Sequence, residues 1–245
     1  VFITRAAADA EVRLDAEHDE FRWVDLDTAI AMCSPEQVAQ PLKLYKDELT
    51  GLDFKNWQPL SVQEVAEIFA DLPVRWWIAG GWAIDLFVGH QTREHGDTDV
   101  VILRDDQLIV QKHLAGWDIY KAALLSLKPW QPGEFLGQGI HDIWCRKNAE
   151  SPWKLQLMLV DTRDDTWLFR RSNLVGGSIA EMGRCTENGV PYIAPEVQLL
   201  YKAKSLTIEK NQADFETTVP LLDASAREWL RRRLEDQYPQ GHEWT

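Results

Sequence analysis

The feature that most constrains the fold is a glycine pair followed, one helix length later, by two aspartates that open an apolar run. Residues 75–103 read RWWIAGGWAIDLFVGHQTREHGDTDVVIL. The apolar run before the glycines predicts a short strand, residues 82–88 predict a helix that Gly89 ends, and the β-branched run 99–103 predicts a buried strand. The pattern therefore predicts a strand, a tight turn, a helix and a second strand in one compact unit.

The two aspartates, Asp97 and Asp99, lie two residues apart at the start of that second strand. Residues i and i+2 of a strand point to the same face, so the two carboxylates are neighbours and repel each other. A divalent cation removes that repulsion, and Mg²⁺ prefers one or two carboxylates together with water and phosphate oxygens. A D-x-D motif on its own is also typical of a solvated turn.

The glycine pair, Gly80 and Gly81, favours the metal interpretation. A turn without Cβ atoms lets an anion approach the backbone, and the amides that open the following helix point toward it. The spacing fits neither a P-loop nor a dinucleotide-binding glycine motif. Glycines and D-x-D in this order, with one helix between them, predict a site for a metal and a nucleotide.

These residues resemble a known superfamily. The matching positions are 80–85, 89, 92–95 and 97–99. They are similar to the nucleotidyltransferases of the DNA polymerase β superfamily, and within it to its antibiotic-modifying branch, the aminoglycoside adenylyltransferases and lincosamide nucleotidyltransferases. The resemblance implies transfer of a nucleoside monophosphate from ATP, or another nucleoside triphosphate, to an acceptor hydroxyl. It also implies Mg²⁺, with two ions expected.

The resemblance assigns roles to individual residues. Asp97 and Asp99 match the catalytic metal ligands, and Gly80 and Gly81 match the turn that contacts the triphosphate. Arg93 is either near the triphosphate or in a salt bridge at the strand end. Further along, Lys202 either reaches the phosphates or is simply solvated. Asp85 and His95 are interpreted as structural, with His95 bracing the metal-bearing strand.

The chain departs from the superfamily at the third carboxylate, which a neighbouring strand commonly supplies. In the strand KLQLMLVD, alternation puts Gln156 at that position. A neutral amide cannot accept the proton of the acceptor hydroxyl, and general-base help is worth about 10²–10⁴-fold in rate. Asp142, on the partner strand of a predicted hairpin, or Asp161, at the strand end, is a possible substitute.

The predicted fold class is α+β (α/β), a nucleotidyltransferase-type mixed sheet flanked by helices. Residues 57–165 are expected to form the nucleotidyltransferase core and residues 166–245 a helical C-terminal part on the substrate side. Residues 1–50 resemble the tail of a Nudix hydrolase domain, but the glycine-and-glutamate box of that family is missing. This segment is interpreted as a Nudix remnant, as the tail of a fusion, or as an extension that packs on the main domain.

Composition limits the partners. The 245-residue chain carries a formal net charge of −13, which disfavours nucleic acid and suits a small cationic acceptor such as an aminoglycoside. No apolar stretch is long enough to span a membrane. Three widely spaced cysteines, Cys33, Cys145 and Cys185, favour free thiols in the cytoplasm.

Two rival functions stay open: a nucleotide-binding protein with weak or no transfer activity, and a toxin-type nucleotidyltransferase that modifies a macromolecule.

Overall fold

A computed structural model of the chain describes residues 24–33, 42, 56–123, 126–172, 176–204 and 208–245. The chain forms two compact units, residues 1–54 with 123–127, and residues 55–122 with 128–245. The described part of the first unit contains helix α1 (Leu26–Met32). Its cap is Asp25, which accepts a hydrogen bond from Thr28 N at 2.9 Å.

Several predictions for the N-terminal segment fall outside the described residues. They are a strand that the sequence favours at residues 11–14, residues 17, 18 and 21–23, on which the Nudix resemblance rests, and a helix for which Ser34 is a suitable cap. A polar, glycine-containing stretch from about residue 46, which favours a seam between segments, is likewise not described up to residue 55. The Nudix resemblance and the domain boundaries at 50 and 57 stay predictions.

The strands belong to the second unit, except that residues 123 and 126–127 are counted with the first. The strands are β1 (Trp76–Ile78), β2 (Asp99–Leu103), β3 (Asp118–Ala123), β4 (Ser126–Pro129), β5 (Asp142–Arg146), β6 (Trp153–Val160), β7 (Thr162–Arg163), β8 (Thr166–Leu168), β9 (Gly176–Ser178), β10 (Gly183–Cys185) and β11 (Pro191–Ile193). Within the described residues the large sheet has the order β10-β11-β1-β2-β6-β5-β3-β4, and a small second sheet has the order β7-β8-β9.

Helices accompany this sheet in the second unit. They are α2 (Val62–Ile68), α3 (Gly80–Val88), α4 (Gln107–His113), α5 (Pro195–Lys202), α6 (Glu209–Thr218) and α7 (Ala224–Gln237). Helix α2 opens with a capping box, in which Ser61 and Glu64 satisfy each other's backbone amides. The predicted α+β class, a mixed sheet flanked by helices, is confirmed. In the described ranges, no helix has the length and apolarity to cross a membrane.

The centre of the sheet is β2, whose three middle residues are buried. It pairs antiparallel with β1, with Trp77 opposite Val101, and parallel with β6, with Asp99 opposite Gln156. Strands β5 and β6 form the antiparallel hairpin that the sequence predicted. Because β2 lies between β1 and β6, a residue that opens β2 faces both the glycine turn after β1 and the middle of β6.

The region after residue 165 contains more than the predicted helices. Short strands precede them, and β11 pairs parallel with β1, with Tyr192 opposite Ile78. The sequence PEVQLLYKAKSLTI favours a helix from Pro195 to about residue 208, whereas helix α5 ends at Lys202. Helix α6 was not predicted, because its polar sequence EKNQADFETT carries no apolar stripe. The C-terminal region therefore contributes strands to the same sheet that carries the two aspartates.

Candidate active site

The glycine turn and Asp99 are in direct contact. Gly80 has a left-handed backbone with φ +66°, and a Cβ built on it would overlap Asp99 Oδ2. The pairing of β1 with β2 creates this approach, since Ala79 N donates to Asp99 O at 2.9 Å. The amide of Gly80 donates to Gln198 Oε1 of α5 at 2.9 Å. Glycine is favoured at position 80 because the backbone angle is left-handed and because any Cβ would displace the Asp99 carboxylate.

Thr98 is the residue between the two aspartates. Its side chain is fully buried and donates a hydrogen bond to Leu60 O at 2.6 Å. Strand β2 begins at Asp99, so Asp97 and Thr98 precede it; Asp97 is exposed and Asp99 is partly exposed. The charge of the Asp97 carboxylate acts on Asp99, so the two carboxylates are near each other.

Burial raises the pKa of Asp99 from 3.8 to about 7, and the nearby carboxylates of Asp97 and Asp142 add to the rise. The ammonium groups of Lys202 and Lys210 act in the opposite direction. A carboxylate in this setting is poorly neutralised by the protein itself, so the site favours a proton or a cation.

A cavity of about 240 Å³ opens beside Asp99 and Gly80. The cations Arg170, Lys202 and Lys210 are among the residues that line it. The lining thus combines one carboxylate, Asp99, with several cations, and a metal–triphosphate complex requires groups of both kinds.

The third-carboxylate position is occupied by Gln156, which lies directly opposite Asp99 on β6. Its amide nitrogen donates to Asp142 Oδ1 at 3.1 Å, while Asp142 Oδ2 lies 3.8 Å from an Arg170 nitrogen. The other suggested substitute, Asp161, is held by Arg104 through bonds of 2.5 and 3.3 Å. Asp142 is therefore the substitute that the structure brings to the site.

Asp85 and His95 brace the loop before the two aspartates. The buried Asp85 accepts bonds from Thr92 N and the Thr92 hydroxyl, and its second oxygen lies 2.5 Å from His95 Nε2. Arg93 continues this brace, since two of its nitrogens donate to Asp214 of α6 at 3.2 Å. Arg93 is thus in a salt bridge, one of its two predicted settings, and its contact with a triphosphate stays a prediction.

Sequence reasoning missed several residues around the site. Asp214 lies in a helix without an apolar stripe, and nothing in the sequence marks it as buried. Lys210 precedes it in the same helix. Gln198 had a detectable signal, because a glutamine among Val197, Leu199 and Leu200 in an apolar helix usually has a specific hydrogen-bond partner.

Comparison with known proteins points to antibiotic-modifying enzymes. Residues 61–123, which include the glycine turn and both aspartates, match the family model described as aminoglycoside-2''-adenylyltransferase. A lincosamide resistance protein of Staphylococcus haemolyticus is 35% identical over 49 residues. That stretch is 20% of this chain and spans only 30% of the relative. The resemblance to antibiotic nucleotidyltransferases that the sequence predicted is thereby confirmed.

Two solved structures are similar to the chain at low identity. One is a lincomycin-bound lincosamide antibiotic adenylyltransferase. Its alignment with this protein covers 67% of this chain and 100% of the other, with 19% identity and a TM-score of 0.46. The enzyme ANT(2")-Ia in complex with adenylyl-2"-tobramycin covers 72% of this chain and 98% of its own, with 17% identity and a TM-score of 0.47.

The close contact of Gly80 with Asp99 predicts a specific cost for Gly80→Ala. Both this variant and the control Gly89→Ala place a side chain at positive φ, +66° and +90°, which costs about 1–2 kcal/mol each. Only Gly80→Ala also forces the Asp99 carboxylate to shift, which should add about 1 kcal/mol, since nothing lies within 4 Å of a Cβ at Gly89. Urea unfolding measures the difference, and equal losses in the two variants would contradict the contact.

The raised pKa of Asp99 predicts a pH dependence of stability in metal-free protein. Between its unfolded value of 3.8 and its folded value of about 7, the folded state holds a proton that the unfolded state has lost. The free energy of unfolding should therefore fall as pH rises through this window, and level off above it.

Urea unfolding in the presence of a chelator, from pH 4.5 to 8, tests this pH dependence. Asp99→Asn should remove the fall relative to wild type, whereas the control Asp71→Asn, at an exposed aspartate, should retain it. A curve for Asp99→Asn that runs parallel to wild type would refute the assignment.

Proposed function

We propose that the protein is a Mg²⁺-dependent nucleotidyltransferase that transfers AMP from ATP to a hydroxyl group of a small molecule and releases pyrophosphate. The observation that carries the proposal is the contact between the glycine turn and Asp99, at a cavity that also has Lys202 and Lys210 in its wall. This places a turn suited to phosphate, a carboxylate suited to a metal and cations suited to a triphosphate in one cavity. The reaction is proposed to occur in the cytoplasm.

The donor set fits magnesium. Among the described residues no group of three or more His, Cys, Asp or Glu side chains is arranged to hold a metal. Magnesium does not require such a group, because it is usually held by one or two carboxylates and completes its shell with water and substrate phosphates. Asp97 and Asp99 would hold it, and two ions, as the resemblance implies, would share them. When bound, the metal neutralises charge that develops on the transferring phosphoryl group and on pyrophosphate.

The chain's own groups would orient the triphosphate. Helix α3 starts at the glycine turn, and its N-cap residue supplies no side-chain hydrogen bond. The Gly80 amide is bonded to Gln198, so the amides that follow it in the first turn would face the anion. Lys202 and Lys210 line the same cavity and would hold the leaving phosphates. A triphosphate held by these groups would keep its α-phosphorus beside Asp99.

Asp142 is proposed as the general base for the acceptor hydroxyl. Its Oδ1 is held by Gln156, which lies opposite Asp99, so the Asp142 carboxylate is one strand further from the glycine turn. Asp142 is partly exposed, so a bound acceptor can reach it. The acceptor would therefore lie over β5 and β6, with the nucleotide over β1 and β2.

The acceptor is proposed to be a cationic antibiotic of the aminoglycoside class rather than a lincosamide or nucleic acid. The net charge of −13 attracts polycations and repels phosphate backbones. The family model that matches residues 61–123 is described by an aminoglycoside activity. Gln156 supports the alternative function, in which the protein binds a nucleotide without transferring it. The activity test below distinguishes this alternative from the proposed transfer.

The activity test uses ATP labelled at the α-phosphate, Mg²⁺ and a panel of aminoglycosides and lincosamides. Wild type should form a labelled adduct and pyrophosphate, and Asp99→Asn should lose both, because its metal ligand is gone. The control Asp164→Asn changes an exposed aspartate and should retain activity. ATP binding with no product across the panel would favour the rival, and full activity in Asp99→Asn would refute the proposed site.

The role of Asp142 has its own prediction. Asp142→Asn should lower kcat by about 10²–10⁴-fold, the usual contribution of a general base, and leave ATP affinity nearly unchanged. The side chain keeps its size and its place beside Gln156. Steady-state kinetics on the acceptor identified above would measure this effect, and a kcat within a few-fold of wild type would assign proton removal elsewhere.

A further inference from the structure

A network of charged groups runs from the loop before the two aspartates to the cavity beside Asp99. His95 Nε2 lies 2.5 Å from Asp85, and His95 Nδ1 lies 3.0 Å from an Arg93 nitrogen. Since Arg93 can only donate, His95 Nδ1 is the acceptor and Nε2 carries the proton. Arg93 binds Asp214, and Asp214 Oδ2 also lies 2.7 Å from Lys202 Nζ.

Asp214 joins the two halves of this network of charged groups. Its side chain is 2% exposed, whereas those of Arg93 and Lys202 are 24% and 10% exposed. A buried carboxylate shared by two cations fixes both of them, because any movement would leave a charge buried without its partner. The position of Lys202 is therefore set from α6 and not only by its own helix.

Most of the hydrogen-bonding capacity of Arg93 is already used. Nε and Nη2 donate to Asp214 at 3.2 Å, and Nη1 lies 3.2 Å from Glu94 O and 3.0 Å from His95, so one of the five N–H groups, on Nη2, is left. Arg93 is also not among the residues that line the cavity, whereas Lys202 is. Arg93 is therefore tied mainly to Asp214 rather than to the cavity.

We infer that Asp214 is a positioning residue that holds the Lys202 ammonium at the cavity for the triphosphate, and that Arg93 supports it. This inference rests on the proposed function in one respect, namely that the cavity binds a nucleoside triphosphate. It makes Lys202 the phosphate-contacting cation and gives Arg93 an indirect role through its forked bond to the same carboxylate.

The test measures the Kd of full-length protein for Mg²⁺ with an α,β-methylene analogue of ATP, and for AMP, by calorimetry. Asp214→Asn and Lys202→Gln should each weaken binding of the analogue by about 10- to 100-fold, the size of one charge-assisted hydrogen bond. The double variant should be little weaker than either single variant, since both remove the same contact. AMP affinity should stay unchanged, and Asp214→Glu should recover part of the loss.

Glu216→Gln, at an exposed position on the same helix, is the matched control and should bind as wild type does. If Asp214→Asn does not fold, Lys202→Gln and Arg93→Lys replace it, and Lys202→Gln should have the larger effect on the analogue. An unchanged Kd for the analogue in Lys202→Gln, or in folded Asp214→Asn, would overturn the inference. Additive effects in the double variant, or equal losses for AMP and the analogue, would overturn it too.

Failure of the proposed function has a different signature. Wild type that does not bind the analogue would overturn the proposed function and this inference together. If wild type binds the analogue but transfers nothing to any acceptor, the proposed activity is refuted. The predicted pattern among the variants would still establish the positioning role of Asp214.

Discussion

The site depends on the contact of Gly80 with the carboxylate of Asp99. Strands β1 and β2 are antiparallel neighbours in the sheet, so the glycine turn that follows β1 passes next to Asp99, the first residue of β2. A side chain at position 80 would occupy the space of the Asp99 carboxylate. Its absence lets the backbone of the turn, the start of helix α3 and an acidic group meet at one point, and the cavity with its basic wall is built around that point.

The elements nearest this contact were predictable from the sequence because their signals are local. Strand β2, helix α3 with its terminal Gly89, the capping box at Ser61 and the β5–β6 hairpin each follow from apolar period, glycine position or capping chemistry. The pairing of Asp99 with Gln156 also agrees with simple alternation along β6. In all these cases a few consecutive residues carry the whole pattern.

The unpredicted features are those whose partners are distant in the sequence. Gln198 is 118 positions from Gly80, and Asp214 is 121 positions from Arg93. Helix α6 is held by the ion pairs and hydrogen bonds of buried polar groups such as Asp214 and Asn211, and its sequence carries no apolar stripe, so its periodicity is weak. The short strands β10 and β11 have only three residues each, too few for a period of two to be distinguished from a loop. Tertiary contacts determine these elements.

The parallel pairing of β11 with β1 has a consequence for how the protein can be divided. In the described residues β1 is three residues long and lies between β2 and β11, with Trp77 and Ile78 buried. A chain cut at residue 165 would remove β11 and leave β1 as an unprotected apolar edge, the kind of surface that recruits foreign strands and leads to aggregation. The segment that carries both aspartates is therefore not a portable module, since its solubility depends on residues nearly a hundred positions further along the chain.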